Sequence, residues 1–408
     1  MSHTATEVPD LASPAQSRDP YPAYNWLREN DPAHWSPQLG AWVLSRYDDV
    51  RAAFRDQALS SDRVSPVLNR RRERDDTSVY PIVDEVLSRW IVFTDPPAHS
   101  RLRKLVEYAF RPRAVQRMEG IVQTLTDELM KELEDAAEFD FIEQFANPLP
   151  VRVIAGMLDV PREFHDDMAR WSDEIVMLLF GAPSVGDRQD RAARGLDAFA
   201  TLVRDLIEQR RDAPGEDLIS DLIVAREHET ELTEEEIVAT CVLLLFAGHE
   251  TTRNLLANGV KLFLEHPSQL NLLLEDSERA AGAVEEVLRF EGPIKAMWRL
   301  GAESTTYQGR EIAPGERVLL LQAAANRDPR RFELPDEFDI LRSPNRHVAF
   351  GYSIHYCLGA AVARLEGTLG FRALAPYLPR LEIASTELDY QPFVISRTLC
   401  ELPLIRRL

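Results

Sequence analysis

HVAFGYSIHYCLGAAVAR, residues 347–364, is the stretch on which the reading of this chain turns. It holds Cys357; the other two cysteines, Cys241 and Cys400, lie far away. A turn-rich segment with Gly351 leads into the cysteine, and a helix-like run follows Gly359. Backbone N–H groups at a helix start favour a thiolate over a thiol. By itself, a lone cysteine is more often a small buried hydrophobe. A serine-hydrolase elbow, G-x-S-x-G, fails because GYSIH puts His355 where the second glycine belongs. A zinc helix, H-E-x-x-H, fails twice: HETTR ends in Arg253 and HETEL in Leu232. A cysteine hydrolase using His355 stays open. A thiolate among glycines at a helix start suits metal ligation better than attack on a substrate.

The rest of the chain narrows the setting. Its 408 residues are 45% apolar and 28% charged, an ordinary globular balance. The net charge of −20 argues against nucleic-acid or anionic-lipid partners. Three scattered cysteines exclude a disulfide framework and a zinc ribbon. No C-x-x-C-H is present, so no covalently attached haem is expected. The first twenty residues lack a signal-length apolar run, and no run approaches the roughly 20 residues needed to span a bilayer. These features predict a cytoplasmic monomer with a loose tail over residues 1–18 and one domain over 19–408.

Helical patterns dominate. The clearest is LTEEEIVATCVLLLFAGHETTRNLLANGVKLFLEHP, with a capping box at Thr233 and Glu236 and a stop at Pro267. It predicts a helix of about 33 residues and about 50 Å, nearly apolar all round between Val238 and Ala247, as in the middle of a large core. At Gly248-His249-Glu250-Thr251-Thr252 the apolar run breaks, and buried charge there needs a partner or a use. Strand signals are few: AWVLS, YQGREI, RVLLLQ and the last residues. Three weaker features remain. Glu286 and Arg289 share a helix face at spacing three. ELPDEFDILR ends in Arg342. DPPAHSRLRK places His99 and Arg103 four apart, where together they could grip a carboxylate.

Together, in this order, these segments resemble the cytochrome P450 family over nearly the whole chain, from about Asp19 onward. FGYSIHYCLG is similar to the family's F-x-x-G-x-x-x-C-x-G loop, with Phe350, Cys357 and Gly359 in place. The resemblance implies a mainly α fold with a minor antiparallel β region, and haem b between the long central helix and the helix after the cysteine. Cys357 would be the proximal iron ligand. Glu250 and Thr251 would be the acid and alcohol of the oxygen-activation segment, with Gly248 leaving room for O2. Glu286, Arg289 and Arg342 would form a buried structural triad. His99, Arg103, Arg299 and His355 would hold the propionates. Ser353 departs from the pattern, standing where the family has glycine.

The activity implied is monooxygenation of a small hydrophobic substrate, by hydroxylation or epoxidation, in natural-product biosynthesis or catabolism. Electrons would come from a ferredoxin or flavodoxin with an NAD(P)H-dependent reductase, docking near Arg101, Lys104 and Arg364. By analogy the pocket draws on Trp90, Val92, Phe93, Phe180, Leu243, Leu244, Ala247, Lys295, Ala296, Met297 and Val394, with a mobile lid over GAPSVGDRQD. Lys295 could meet an anionic substrate, although a lysine there is more often solvated. Alternatives are a peroxide-using haem-thiolate enzyme and a non-catalytic haem-binding sensor or carrier.

Overall fold

The computed structural model describes residues 10–407 apart from 12, 14, 74–79, 111, 135, 181–186 and 229–231. Seven of its helices position the site: α1 (Tyr47–Ala53), α2 (Ala98–Ala109), α3 (Pro148–Leu158), α4 (His165–Phe180), α5 (Glu234–Glu265), α6 (Ala280–Glu291) and α7 (Ala360–Leu374). Helix α5 is the long helix expected from the sequence, and it starts as expected. Thr233 Oγ1 accepts from the Glu236 N–H at 3.3 Å, and the Glu236 carboxylate accepts from the Thr233 N–H at 3.0 Å. This reciprocal cap satisfies two donors that a helix start otherwise leaves bare. Helices α3, α4, α6 and α7 all pack on α5. Its middle is therefore covered on several sides, which is why an apolar belt all round it is stable.

The strands are β1 (Ala33–Ser36), β2 (Ala41–Leu44), β3 (Leu59–Ser60), β4 (Glu138–Asp140), β5 (Met297–Gly301), β6 (Thr305–Tyr307), β7 (Arg310–Ile312), β8 (Arg317–Leu320), β9 (Leu381–Ile383) and β10 (Pro403–Arg406). The main sheet runs β1-β2-β8-β5-β3. It is antiparallel except where β2 lies parallel to β8. YQGREI, expected as one strand, is a hairpin. Gln308 and Gly309 both take positive φ, at 50° and 75°, and turn β6 back as β7, the geometry of a two-residue hairpin turn. Strand β5 had no sequence signal. Its run MWRLG is too short and too mixed to alternate cleanly, and pairing with β8 and β3 makes it a strand.

Part of the segment expected as a loose tail is docked. Leu11 and Ser17 are buried. The Arg397 guanidinium donates to the carbonyls of Ser17 and Arg18 and pairs with Glu291 at 2.6 Å. The remaining tail residues, 1–9, 12 and 14, lie outside the described residues.

Candidate active site

The cysteine loop closes on itself through the backbone. The Cys357 N–H donates to the Phe350 carbonyl at 2.9 Å, and the Gly351 N–H to that of Val348 at 2.9 Å. Two residues take left-handed backbone, Gly351 at φ 72° and Ser353 at φ 64°. Ser353 thus makes the turn itself, at a steric cost of about 1–2 kcal/mol for an L-residue. Bracing offsets that cost. Arg51 of α1 and Arg55, just past its end, donate to the Tyr352 hydroxyl at 2.8 and 2.6 Å and lie over its ring. Arg364 of α7 grips Glu285 at 2.6 and 3.0 Å and covers the Phe350 ring. Arg103 of α2 donates to the Tyr356 carbonyl at 2.6 Å. Burial pushes the Cys357 thiol up, while the Gly359 N–H, Arg103 and Arg364 pull it toward thiolate. A Cβ at Gly359 would meet nothing within 4 Å.

Beneath the loop, Glu286 and Arg289 are almost fully buried. Arg289 Nε and Nη2 bond both Glu286 oxygens at 2.8 and 2.7 Å. Its other bonds go to the carbonyls of Asn326, Pro335 and Glu337 at 2.8–3.0 Å, so all five guanidinium donors are used. Arg342 Nε reaches Glu286 at 3.2 Å, and Asn345 and the Asp339 N–H complete the carboxylate's shell. The geometry brings Glu286, Arg289 and Arg342 together as the sequence suggested. Such a shell permits two opposite charges in a dry core.

Along α5 one narrow face is open. Leu243, Leu244, Gly248 and Thr251 are half-buried and Ala247 is exposed, while Leu245, Phe246, His249, Glu250 and Thr252 are buried. Positions 243/244, 247/248 and 251 fall on one face of a helix, so the helix lines a hollow there. The Thr251 hydroxyl donates to the Ala247 carbonyl at 2.7 Å. Glu250 accepts from Arg253 at 3.0 Å, Asn254 at 2.8 Å and Thr398 at 2.6 Å. His249 is held by Ser172 at 2.8 Å and Asn147 at 2.6 Å; burial lowers its pKa to about 3 and keeps it neutral. Gly248 lies on this open strip, and a Cβ there would come 3.0 Å from the Ile154 side chain on α3, so its smallness also eases the packing of α5 on α3.

Helix α2, the cysteine loop and β5 converge on a cluster of unused donors. The His99 and His355 rings lie 4.3 Å apart. Both His99 nitrogens, His355 Nε2 and Arg299 Nη2 are buried without a partner. Burial and the neighbouring Arg299 push His355 down to about 3; burial and Arg103 lower His99. Buried donors left empty are costly. Here they come from three elements and surround a cysteine loop, the donor set that a thiolate-ligated haem with two carboxylates requires. Phe350 and Gly359 frame the same loop. The residues present therefore fit the group.

Trp90, Phe93, Phe246, Phe180 and Phe393 form a continuous aromatic wall, ring to ring at 5.2–6.0 Å. Val92, Leu243 and Leu244 pack in the same cluster. Four other expected lining residues lie elsewhere. Lys295 points away and donates to the Phe393 carbonyl at 2.7 Å, and its neighbours are Arg397 and Glu291. Ala296 and Val394 pack with Leu11 and Tyr24 beside it. The segment is fixed there by the Lys295 N–H bonding the Ile395 carbonyl and by β5 beginning at Met297. Met297 packs toward the sheet with Leu44 and Val318. In GAPSVGDRQD, residues 181–186 lie outside the described residues. Phe246 and Phe393 were missed. Phe246 was legible, three residues after Leu243 on the same helix; Phe393 is brought in only by tertiary folding.

Comparison with known proteins agrees with this geometry. The Cytochrome P450 family model matches residues 40–374. The vitamin D(3) 25-hydroxylase of Pseudonocardia autotrophica is 38% identical, covering 99% of this chain and 98% of that protein. The 6-deoxyerythronolide B hydroxylase of Saccharopolyspora erythraea is 35% identical, covering 98% and 99%. The structure of P450BioI with an acyl carrier protein carrying hexadec-9Z-enoic acid superposes with a TM-score of 0.89 at 33% identity, covering 97% of this chain and 100% of that one. With the cysteine loop, the buried Glu286–Arg289–Arg342 network and the open strip of α5 already in place, this chain belongs to the cytochrome P450 family and is a monooxygenase of that family.

Proposed function

We propose that the chain binds haem b through Cys357 and inserts one oxygen atom of O2 into a C–H or C=C bond of a small hydrophobic substrate. Two electrons and two protons carry the other oxygen to water. When bound, the haem supplies the redox iron at which O2 is reduced. The chain's own residues do the rest. Cys357 supplies the thiolate. Thr251 presents a hydroxyl at the hollow, and Glu250, one residue before it, holds a carboxylate inside a fixed hydrogen-bond set. The aromatic wall excludes water and favours apolar substrates. The observation that carries this reading is the open strip of α5, with an alcohol on it and a buried acid beside it, in a stretch, 237–252, whose other residues are all buried.

The substrate is proposed as a medium-sized apolar compound with a hydrogen-bond acceptor. Trp90 Nε1 in the wall is buried without a partner, and a buried N–H calls for one. The named relatives hydroxylate vitamin D(3) and 6-deoxyerythronolide B, which supports a compound of that size class rather than either one. Electrons are proposed to arrive from a ferredoxin or flavodoxin at the cysteine face, in a cytoplasmic monomer; among the described residues no helix is long and apolar enough to cross a membrane. Of the cations expected there, Arg101 pairs with Glu236 and Arg364 with Glu285. Arg51 and Arg55, around Tyr352, make no ion pair with a carboxylate among the described residues and supply positive charge on the same face.

A reduced-plus-CO spectrum tests the first step. A red-shifted Soret band supports thiolate ligation; folded protein that takes up no haem overturns it. Turnover with a surrogate ferredoxin and reductase, with product containing one atom from 18O2, tests the reaction. Absence of oxygen incorporation across a panel of ligands that shift the spin state would overturn it.

A further inference from the structure

Arg63, in the loop after β3, is a guanidinium the site described so far does not use. Its Nε is buried without a partner. Its Cζ lies 4.7 Å from the centre of the Phe93 ring, which is itself part of the aromatic wall. Among the described residues it makes no hydrogen bond and no ion pair with a carboxylate. The charged group that acts on it is Arg299, another cation, and burial with this repulsion lowers its pKa to about 10. Arg299 is 3% exposed, has an empty Nη2 and is also lowered to about 10 by burial. Asp95 is the one carboxylate acting on Arg299, and it is already engaged by the Ser60 hydroxyl and the Ser61 N–H. Two neighbouring cations, Arg299 buried and Arg63 half-buried, without an anion between them are unfavourable on both Coulomb and desolvation grounds. The loop nonetheless holds Arg63 there. Val64 and Ser65 N–H groups bond Asp62, the Ala58 N–H bonds Asp56, and β3 is pinned to β5, the strand that carries Arg299.

We propose that Arg63 is a further grip on the haem: with Arg299 and His355 it holds one propionate carboxylate, from the aromatic-wall side. This rests on the reading that the chain carries haem. Phe93 serves as the shelf that fixes the guanidinium plane. One carboxylate has lone pairs enough for two guanidiniums and an imidazole, and its charge removes the Arg63–Arg299 repulsion. The same contact places a cation at the border between haem edge and substrate wall, so Arg63 couples cofactor retention to the shape of the pocket.

The test is haem loss from ferric holoprotein to excess apomyoglobin, followed by absorbance, for wild type, Arg63→Gln and Arg63→Lys. A wild-type protein without the red-shifted reduced-CO band would refute the haem reading itself, before any variant is made. Given that band, Arg63→Gln is expected to lose haem about tenfold faster or more, with Arg63→Lys intermediate. Reconstitution with haem dimethyl ester is the control that a general loosening would not pass: with esterified propionates the wild-type and Arg63→Gln rates converge. Equal rates with native haem overturn the proposal, as does a difference that persists with the ester. The one other anion that could meet Arg63 is a substrate carboxylate. If Arg63→Gln weakens the spin shift by a long-chain fatty acid but not by the matching alcohol, and haem loss is unchanged, Arg63 is a substrate contact and the proposal falls.

Discussion

The two sides of the site handle polar atoms in opposite ways. On the cysteine side, Glu286 accepts from five groups and Arg289 uses all five donors within the protein. On the other, where α2, β5 and His355 of the cysteine loop meet the aromatic wall, His99, His355, Arg299, Arg63 and Trp90 each keep a buried nitrogen empty. A self-satisfied network is scaffold, because nothing further can improve it. A cluster of empty donors is a socket, because its members are costly until something arrives. The proposed haem site rests on this contrast, and the contrast can be broken from either side.

The largest effect is expected at the point where the two sides meet. Cys357→Ser should abolish the red-shifted reduced-CO band altogether while far-UV dichroism stays that of the wild type; retention of the band would show another ligand. Next comes the scaffold. Glu286→Gln leaves Arg289 buried beside a neutral partner and should cost about 3–5 kcal/mol, read as a fall in denaturant midpoint and in haem content. A midpoint within error of wild type would mean the network is dispensable. On α5, Thr251→Ala should leave haem binding intact and lower product formed per electron pair by roughly tenfold or more, with peroxide rising in compensation; unchanged coupling would remove Thr251 from its role.

Smaller effects sharpen the contrast. His249 is neutral and fully bonded in the folded protein, with a pKa near 3. The unfolded chain therefore binds more protons between about pH 3 and 6.5, and stability falls as pH drops through that window. One unit below 6.5 the loss is about 1.4 kcal/mol. His249→Gln cannot titrate, so the fall in stability between pH 7.5 and 5.5 should shrink by about that amount in urea titrations. The smallest change is Ser353→Gly. Relieving a left-handed L-residue should add about 1 kcal/mol of stability, less what the flexible glycine loses in chain entropy, with the spectrum unaltered. A lower midpoint would mean the serine side chain contributes to the turn.

How much of this was legible in the sequence follows the range of the forces involved. Helix α5 was readable almost to the residue, since its cap, its apolar belt and Pro267 are all local. The triad and the donor cluster were nameable because i, i+3 and i, i+4 spacing ties Glu286 to Arg289 and His99 to Arg103. Their convergence was carried by resemblance alone. Lys295 was misplaced because the face a β5 neighbour presents depends on register with a distant strand. The contact of Gly248 with Ile154 gave no sequence signal because the two lie 94 positions apart. Arg63 gave no signal beyond one more basic residue in a polar stretch; its isolation from carboxylates exists only in three dimensions.

Thr398 carries a last implication. Its hydroxyl donates to Glu250 and its neighbour Ser396 at 3.0 Å completes the pair, while five residues earlier Phe393 stands in the aromatic wall. One short ribbon of backbone near the C-terminus thus sets both one end of the aromatic wall of the proposed substrate chamber and the seat of the acid. Anyone reshaping the chamber at Phe393 to admit a bulkier compound would be retuning the acid's support at the same time, and compensating changes belong at Asn254 and Ser396 rather than in the wall.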